Sequence, residues 1–167
     1  MANISTAWKH KIARLVKLPV FHFLMRWGIR LVVPRHRVGV VLVIMDEANR
    51  VLLLDHVFHP HQSWGLPGGW LDANESPAEG VLRELKEETG LTAVLTTILF
   101  AEKQQNPPHL GIAYLGRLQG GALQLSSEII EAGWFAPDEL PGPLLPFHRA
   151  ALAAATTTHS LRVDSLI

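Results

Sequence analysis

Three glutamates, Glu84, Glu87 and Glu88, lie close together in the segment ELKEE. In a helix, Glu87 and Glu88 fall about 60° to one side and about 40° to the other side of Glu84, so their carboxylates share one stripe. Like charges at this spacing destabilise a helix by about 0.2–0.5 kcal/mol per pair, and acids in its last turn oppose the helix dipole. A purely structural interpretation is a solvated acidic face neutralised by Arg83 and Lys86.

A glycine-rich loop ahead of these acids favours a chemical role instead. The stretch from His59 to Trp70 contains two prolines and three glycines, so main-chain carbonyls such as that of Gly68 stay accessible. Oxygen ligands are those that Mg²⁺ prefers, and one or two carboxylates plus substrate phosphates commonly hold it. The acids and the loop together predict a divalent-metal site that promotes attack on a phosphoanhydride.

The helix that positions the acids is predicted over Pro77–Thr89. Ser76 can cap it, Pro77 suits its first position, Glu79 completes an S-x-x-E capping box, and Gly90 supplies the stop. The side chains predicted to face the sheet are Ala78, Val81, Leu82 and Leu85. The acidic stripe therefore lies beside the core-facing stripe rather than opposite it.

Apolar runs elsewhere predict a sheet around this helix. Val38–Asp46 and Val51–His56 are expected to form a hairpin of two largely buried strands. Further predictions are strands over Leu91–Phe100, Leu110–Leu118 and Ala132–Ala136, a loop over Gln104–His109, a turn at Gly120–Gly121, and a closing helix over Phe147–Thr156. The order of elements predicts one α/β domain with helices on both faces of a mixed sheet.

Composition narrows the chemistry further. The 167 residues are 48% hydrophobic and contain no cysteine, which suits a compact core and excludes thiolate zinc sites, iron–sulfur clusters and cysteine nucleophiles from this sequence. The zero net charge conceals an asymmetry, because residues 1–45 carry eight basic and no acidic side chains, whereas the remainder carries seven basic and fifteen acidic ones. The acidic body argues against broad nucleic-acid binding and favours polyphosphate handled with bound cations.

The spacing of the acids resembles a known signature. Gly69, Glu75, the Arg83-Glu84-Leu85 triplet, the Glu87-Glu88 pair and Gly90-Leu91 match the 23-residue box of the Nudix hydrolase family without a departure. The resemblance implies an α/β/α sandwich with a mixed β-sheet. It also implies hydrolysis, by water attack on phosphorus, of a nucleoside diphosphate linked to another moiety.

Carried over by residue, the resemblance assigns roles within the box. Glu84, Glu87 and Glu88, with the Gly68 carbonyl, would ligate or organise Mg²⁺ or Mn²⁺, and Glu75 and Arg83 would form a structural ion pair. Glu87 is a candidate base within the box. Glu128 and Glu131, in SSEIIEAGWF, resemble the additional acid that many members supply from a later loop.

Substrate contacts are expected from five further residues, each with an ordinary structural alternative. His59 and His61 flank Pro60 ahead of the glycine loop, and Trp64 and Trp70 bracket the glycines, where they either stack on a base or pack in the core. Pro107 lies where members that cleave ADP-ribose typically carry a proline. We expect ADP-ribose or a nucleotide sugar first and a nucleoside triphosphate second. The rival from another class is a Nudix-fold nucleotide sensor that does not cut.

The basic N-terminal segment, residues 1–36, is predicted to be helical and amphipathic, ahead of a catalytic domain over residues 37–167. It could lie in a membrane interface, dock on a second subunit to form a homodimer, or pack on its own domain. No apolar run reaches the length of a membrane span, and basic residues recur where a signal peptide would be apolar. We expect a cytoplasmic enzyme with a nucleotide-derived substrate and no stable nucleic-acid partner.

Overall fold

The structure is a computed structural model that describes Phe23, residues 36–58 and residues 63–164, with side chains given up to residue 158. The chain divides into two compact units, Met1–Arg35 and His36–Ile167. Nearly all of the predicted N-terminal segment, together with His59 and His61, lies outside the described residues. In the described part of the chain, no helix combines the length and apolarity needed to cross a membrane.

The second unit contains seven strands and two helices within its described residues. In chain order they are β1 (Arg37–Ile44), β2 (Val51–His56), β3 (Trp64–Gly65), β4 (Gly68–Trp70), α1 (Pro77–Thr89), β5 (Leu91–Gln105), β6 (Pro108–Gly121), β7 (Ile129–Phe135) and α2 (Pro146–Asp164). One sheet has the order β4-β1-β6-β5, in which β1 and β6 are parallel and the other pairs antiparallel. The other sheet is antiparallel, with the order β3-β2-β7. The predicted α/β class with a mixed sheet is confirmed.

Two hydrophobic clusters lie on opposite faces of the strands. Along β1, Val40, Leu42 and Ile44 pack into the cluster that contains α1, whereas Val41 and Val43 pack into the cluster that contains α2. Strand β2 alternates in the same way. Both faces of β1 and β2 are therefore covered, which explains why their sequences are continuous apolar runs rather than alternating ones.

The predicted hairpin of the first two strands is wrong. Strands β1 and β2 belong to different sheets and share a single bridge, between Met45 and Val51. The connection is a tight turn in which the Asp46 carboxylate accepts from the backbone N–H groups of Ala48 and Arg50. An apolar run predicts a buried strand, but it carries no information about which strand it pairs with, since the pairing of β1 with β6 crosses about seventy residues of chain.

Several predicted boundaries also move, because pairing extends the strands. Strands β5 and β6 pair from Leu91↔Gly121 to Gln105↔Pro108, so the predicted loop over Gln104–His109 shrinks to the connection Asn106–Pro107. The glycines predicted as a turn, Gly120 and Gly121, instead end β6. Strand β7 begins three residues earlier than predicted, and α2 runs on to Asp164.

Helix α1 has the predicted limits and caps. The Ser76 hydroxyl accepts from Glu79 N–H at 3.3 Å, and the Glu79 carboxylate accepts from Ser76 N–H at 2.8 Å. Gly90 adopts φ 71°, a left-handed conformation that glycine tolerates best, and donates to the Lys86 carbonyl. Val81 and Leu85 are fully buried against the sheets. The capping chemistry thus fixes where the glutamates of α1 lie.

Candidate active site

The three glutamates of α1 lie across the boundary between core and solvent. The Glu87 side chain is 60% exposed, that of Glu84 is 17% exposed and that of Glu88 is 10% exposed. An isolated charge is costly to bury, so a helix selected only for stability would not place a carboxylate at the Glu88 position. The stripe is therefore not simply a solvated acidic face.

Glu88 is the most perturbed acid of the stripe. The pKa of Glu88 is raised to about 8, mainly by burial and to a smaller extent by the negative charges of Glu84, Glu128 and Glu87, although a hydrogen bond from Gly68 N–H at 3.0 Å opposes the shift. His56 Nδ1 lies 3.8 Å from the other carboxylate oxygen. Strongly shifted acids of this kind concentrate at functional sites, because structure alone rarely requires them.

Arg83 organises the acids on the solvent side of the stripe. Its guanidinium contacts both carboxylate oxygens of Glu75, with Nη2 at 2.7 Å and Nε at 3.0 Å, and Nη1 lies 2.8 Å from Glu87 and 3.1 Å from Glu84. Nη2 also donates to the Trp70 carbonyl at 3.2 Å. The Arg83 contact, with a hydrogen bond from Asp72 N–H, lowers the pKa of Glu75 to about 2. This network ties the loop after β4 to α1.

Close packing of glycines sets the distance between the loop and the helix. A Cβ atom on Gly69 would lie 2.5 Å from the carboxyl carbon of Glu84, and a Cβ on Gly68 would overlap the Val40 carbonyl. On α1, a Cβ on Gly80 would meet the side chains of Leu71 and Glu75. The absence of side chains at Gly68 and Gly69 therefore allows the backbone of β4 to approach the acids directly.

The two later acids occupy different places. Glu128 precedes β7, its carbonyl accepts from Val57 N–H at 2.9 Å, and its charge contributes to the raised pKa of Glu88. Glu131 lies within β7, paired in register with Asp55. Of the two, Glu128 is the acid whose charge acts on the glutamates of α1.

A cleft of about 690 Å³ begins beside this cluster. His56, Gly68 and Gly69 line one end of it and also contact the acids of α1. The other end is formed by the tip of the β5–β6 hairpin and by the first turn of α2. The volume lies in the usual range for small-molecule sites.

The structure separates the predicted substrate-binding residues. Trp70 and Pro107 line the cleft, and Trp70 is 42% exposed. Trp64 instead packs edge-on against Phe135, with ring centroids 5.1 Å apart, in the cluster beneath α2. The two tryptophans bracket the same loop in sequence, but they lie on short strands of different sheets.

Sequence reasoning missed several residues that line the cleft. They are His56, Glu102, Lys103, His109, Phe147 and His148. His148 Nδ1 accepts from Leu66 N–H at 3.0 Å, which joins the start of α2 to the loop before β4. No local motif marks these positions. For Glu102, Lys103 and His109, the signal that could have found them is the register of the central sheet, which requires the pairing of β1 with β6.

The donor set fits a divalent cation. Among the described residues, no three His, Asp or Glu side chains already surround a common metal position. Mg²⁺ needs only one or two carboxylates when waters and phosphates complete its shell. Glu84 and Glu88 are partly or largely buried, and burial is the main cause of the raised pKa of each. A cation between them and the Gly68 carbonyl would offset that cost.

Comparison with known proteins gives the family. A NUDIX domain model matches residues 35–155. The chain belongs to the Nudix family. The crystal structure of an ADP-ribose pyrophosphatase from Streptococcus suis aligns with a TM-score of 0.62 at 30% identity, covering 73% of this chain and 92% of that one. A MutT Nudix hydrolase from Burkholderia pseudomallei aligns with a TM-score of 0.64 at 30% identity, covering 72% and 98%.

Curated relatives agree with this assignment. A MutT-like protein from Streptomyces ambofaciens is 32% identical over 107 residues, which is 64% of this chain and 68% of that protein. The human 8-oxo-dGDP phosphatase NUDT18 is 34% identical over 110 residues, and the match spans 63% of this chain but only 34% of that protein. The chain is a Nudix pyrophosphohydrolase, an enzyme that hydrolyses a phosphoanhydride bond of a nucleotide derivative.

Proposed function

We propose that this Nudix enzyme uses Mg²⁺ or Mn²⁺ to cleave the phosphoanhydride of a nucleoside diphosphate linked to another moiety. The observation that carries the proposal is the buried Glu88 carboxylate, held by Gly68 N–H at 3.0 Å where the cleft meets the acids of α1. The cation, held by Glu84, Glu88 and the Gly68 carbonyl, with Glu87 nearby, would neutralise phosphate charge and lower the pKa of a bound water.

The chain's own residues would divide the remaining tasks. Arg83, bound to Glu75, fixes the loop against α1 and so holds the Gly68 backbone beside Glu88. The attacking water must transfer a proton to an acid of the cluster. Glu87 is the candidate in the box and Glu128 the candidate outside it, and the Coulombic effect of Glu128 on Glu88 favours Glu128 over Glu131 for that role.

Two substrate groups are compatible with the proposed reaction. ADP-ribose or another nucleotide sugar is the first expectation, supported by the position of Pro107 at the cleft. Nucleoside triphosphates come second. Both groups contain a phosphoanhydride between adjacent phosphates, which the proposed reaction requires, whereas monophosphate esters do not. A similarity to the ADP-ribose pyrophosphatase of Methanocaldococcus jannaschii, at 30% identity over 103 residues, supports the first group.

The experiment is a panel of nucleoside diphosphate sugars, triphosphates and monophosphate esters incubated with the full chain and Mg²⁺. We expect a nucleoside monophosphate from at least one diphosphate or triphosphate and no reaction with the monophosphate esters. Excess EDTA should abolish the reaction, and Mn²⁺ should restore it. Equal activity in EDTA would refute the metal-dependent mechanism. Tight binding of a nucleotide without turnover of any substrate would favour the sensor alternative.

A further inference from the structure

The short connection between β3 and β4, Leu66–Pro67, is bound by both helices. Leu66 N–H donates to His148 Nδ1, in the first turn of α2, at 3.0 Å. Gly68, which follows the connection, donates its N–H to the Glu88 carboxylate of α1 at 3.0 Å. Side chains of α2 and α1 therefore hold backbone groups that are only two residues apart.

Packing fixes the turn of α2 that carries His148. The ring of the preceding residue, Phe147, lies against Gly111 of β6, where a Cβ atom would be 2.7 Å from it. The same ring meets Phe100 of β5 edge to face, with centroids 5.4 Å apart. The following turns bury Ala151, Leu152 and Ala155. Close packing of this kind limits how far the His148 ring can shift.

The His148 ring occupies space that a side chain at Gly65 would need. A Cβ atom on Gly65, the last residue of β3, would be 3.0 Å from Nδ1 and 3.1 Å from Cε1 of the ring, closer than an ordinary van der Waals contact. The imidazole therefore lies against the backbone of β3 while it accepts from Leu66 N–H. A backbone N–H can only donate, so Nδ1 is unprotonated and the neutral ring carries its proton on Nε2.

The position of this connection matters because Gly68 follows it directly. In the proposed function, the Gly68 carbonyl and Glu88 would hold the cation, and Gly68 N–H already donates to Glu88. The ring of Pro67 fixes the φ angle between Leu66 and Gly68, so the connection has few torsions that could absorb a shift. A displacement of Leu66 should therefore reach the Gly68 peptide.

We propose that His148 is a positioning residue of the metal site, which acts by holding the β3–β4 connection from the side of α2. Arg83 and Glu75 hold the loop after β4, and His148 holds the connection before it, so both ends of β4 are fixed. The inference rests on the proposed function, in which the Gly68 carbonyl is a metal ligand. Residues that orient a ligand without touching the metal change metal affinity by about 10- to 100-fold when they are replaced.

Metal binding without substrate tests this role. Mn²⁺ is titrated into the full chain, and electron paramagnetic resonance follows the free ion. His148→Leu keeps a side chain of similar size but removes the acceptor, so we expect the Mn²⁺ affinity to fall about tenfold. His148→Asn places an amide oxygen near the Nδ1 position and should recover most of the loss, whereas His148→Gln places its amide near the Nε2 position and should not. Equal affinities of the unchanged and His148→Leu proteins would overturn the proposal.

Gly65→Ala reaches the same contact from β3. Gly65 has a backbone conformation that alanine can adopt, and the added methyl group would press on the His148 ring. Mn²⁺ affinity should fall about as much as in His148→Leu, and the double variant should lose little more, because residues that share one interaction are not additive. Additive losses would contradict the shared route and point to His56, whose Nε2 would be 3.4 Å from the methyl group. The matched control, Thr157→Val, removes an exposed hydrogen bond to the Ala153 carbonyl on α2 and should change nothing.

Amide hydrogen exchange of the metal-free protein separates this role from the proposed function. We expect Gly68 N–H to exchange about tenfold faster in His148→Leu, and Gly90 N–H, which donates to the Lys86 carbonyl, to be unchanged. If the unchanged protein binds no Mn²⁺ but Gly68 protection depends on His148, the metal mechanism is wrong and the positioning of Gly68 stands. If the unchanged protein hydrolyses nucleotides with Mn²⁺ but His148→Leu binds the ion equally well, the positioning role is wrong and the proposed function stands.

Discussion

At the scale of single residues, the site depends on carboxylates placed where folding alone would not place them. Burial raises the pKa of Glu88 to about 8, while the contact with Arg83 lowers that of Glu75 to about 2. The two residues with opposite pKa shifts lie on α1 and on the loop that precedes it. Glu75 serves as an ionised anchor, and Glu88 is an acid whose charge requires compensation, which a divalent cation would provide.

Glu88→Gln should separate activity from stability. It removes a proposed metal ligand, and since a bound cation would supply several kcal/mol of transition-state stabilisation we expect turnover to fall by roughly 100-fold or more. The amide oxygen of the introduced glutamine can still accept from Gly68 N–H, so the fold is retained. Steady-state kinetics measures the loss, with Glu139→Gln, an exposed acid outside the cleft, as the matched control. Full Mg²⁺-dependent activity of the Glu88→Gln protein would remove this residue from the site.

The stability of the metal-free protein should depend on Glu88 in a defined pH window. The raised pKa means that the folded protein retains a proton that the unfolded chain releases, so the free energy of unfolding falls as the pH rises from about 4.5 to about 8. Glu88→Gln should lack this decline and should therefore be the more stable protein at pH 8.5 but not at pH 5. Thermal unfolding in EDTA at pH 5 and at pH 8.5 measures this difference in stability. A parallel decline in both proteins would contradict the assignment.

At the scale of elements, prediction succeeded where the determinants are local. Helix α1 was predicted to the residue because Ser76, Pro77, Glu79 and Gly90 act within one or two turns of its ends. The pairing of β1 was not predictable, since a hydrophobic run indicates burial without naming its partner. The glutamates of the Nudix box could be predicted because the ends of their helix are defined by local residues. His109 and Glu102 could not be predicted, because only the pairing of β6 and β5 within the sheet brings them to the cleft.

The contact between β4 and α1 gives a prediction at this scale. Gly69→Ala places a methyl group 2.5 Å from the Glu84 carboxyl carbon, so the carboxylate must move. A displacement of about 1 Å in a catalytic group can reduce the rate about 100-fold, and we expect a loss of that order in kcat. The control is Gly120→Ala, whose Cβ has only Thr92 Oγ1 within 4 Å, at 3.8 Å. Equal activity of the two variants would show that this close approach is not required.

At the scale of the whole molecule, charge is distributed unevenly between the N-terminal segment and the rest of the chain. The acidic residues lie from Asp46 onward, with the glutamates of the site, whereas residues 1–45 carry eight basic side chains and no acid. A cation can connect an acidic site to an anionic substrate, so the catalytic unit need not be basic. Three roles therefore stay predictions for the basic segment: binding a membrane, joining a second subunit, or packing on its own domain.

Deletion of residues 1–33 tests that separation. If the segment binds a membrane, sedimentation with anionic liposomes should be lost, and if it joins subunits, the oligomeric mass in solution should fall. Hydrolysis should be unchanged in either case, because every residue assigned to the site lies after residue 36. An insoluble truncated protein would instead support the alternative in which the segment packs on its own domain.

The most direct test of the central claim is the fate of the attacking oxygen. In the proposed function, the acids of α1 and the Gly68 carbonyl would hold a cation that stabilises phosphate charge, so water should attack phosphorus and break a phosphoanhydride. Hydrolysis of the panel's best substrate in ¹⁸O-labelled water, followed by mass spectrometry of both products, locates the label. We predict ¹⁸O on one phosphate, with glycosidic and ester bonds intact and no reaction in excess EDTA. Label on a sugar carbon would contradict the account.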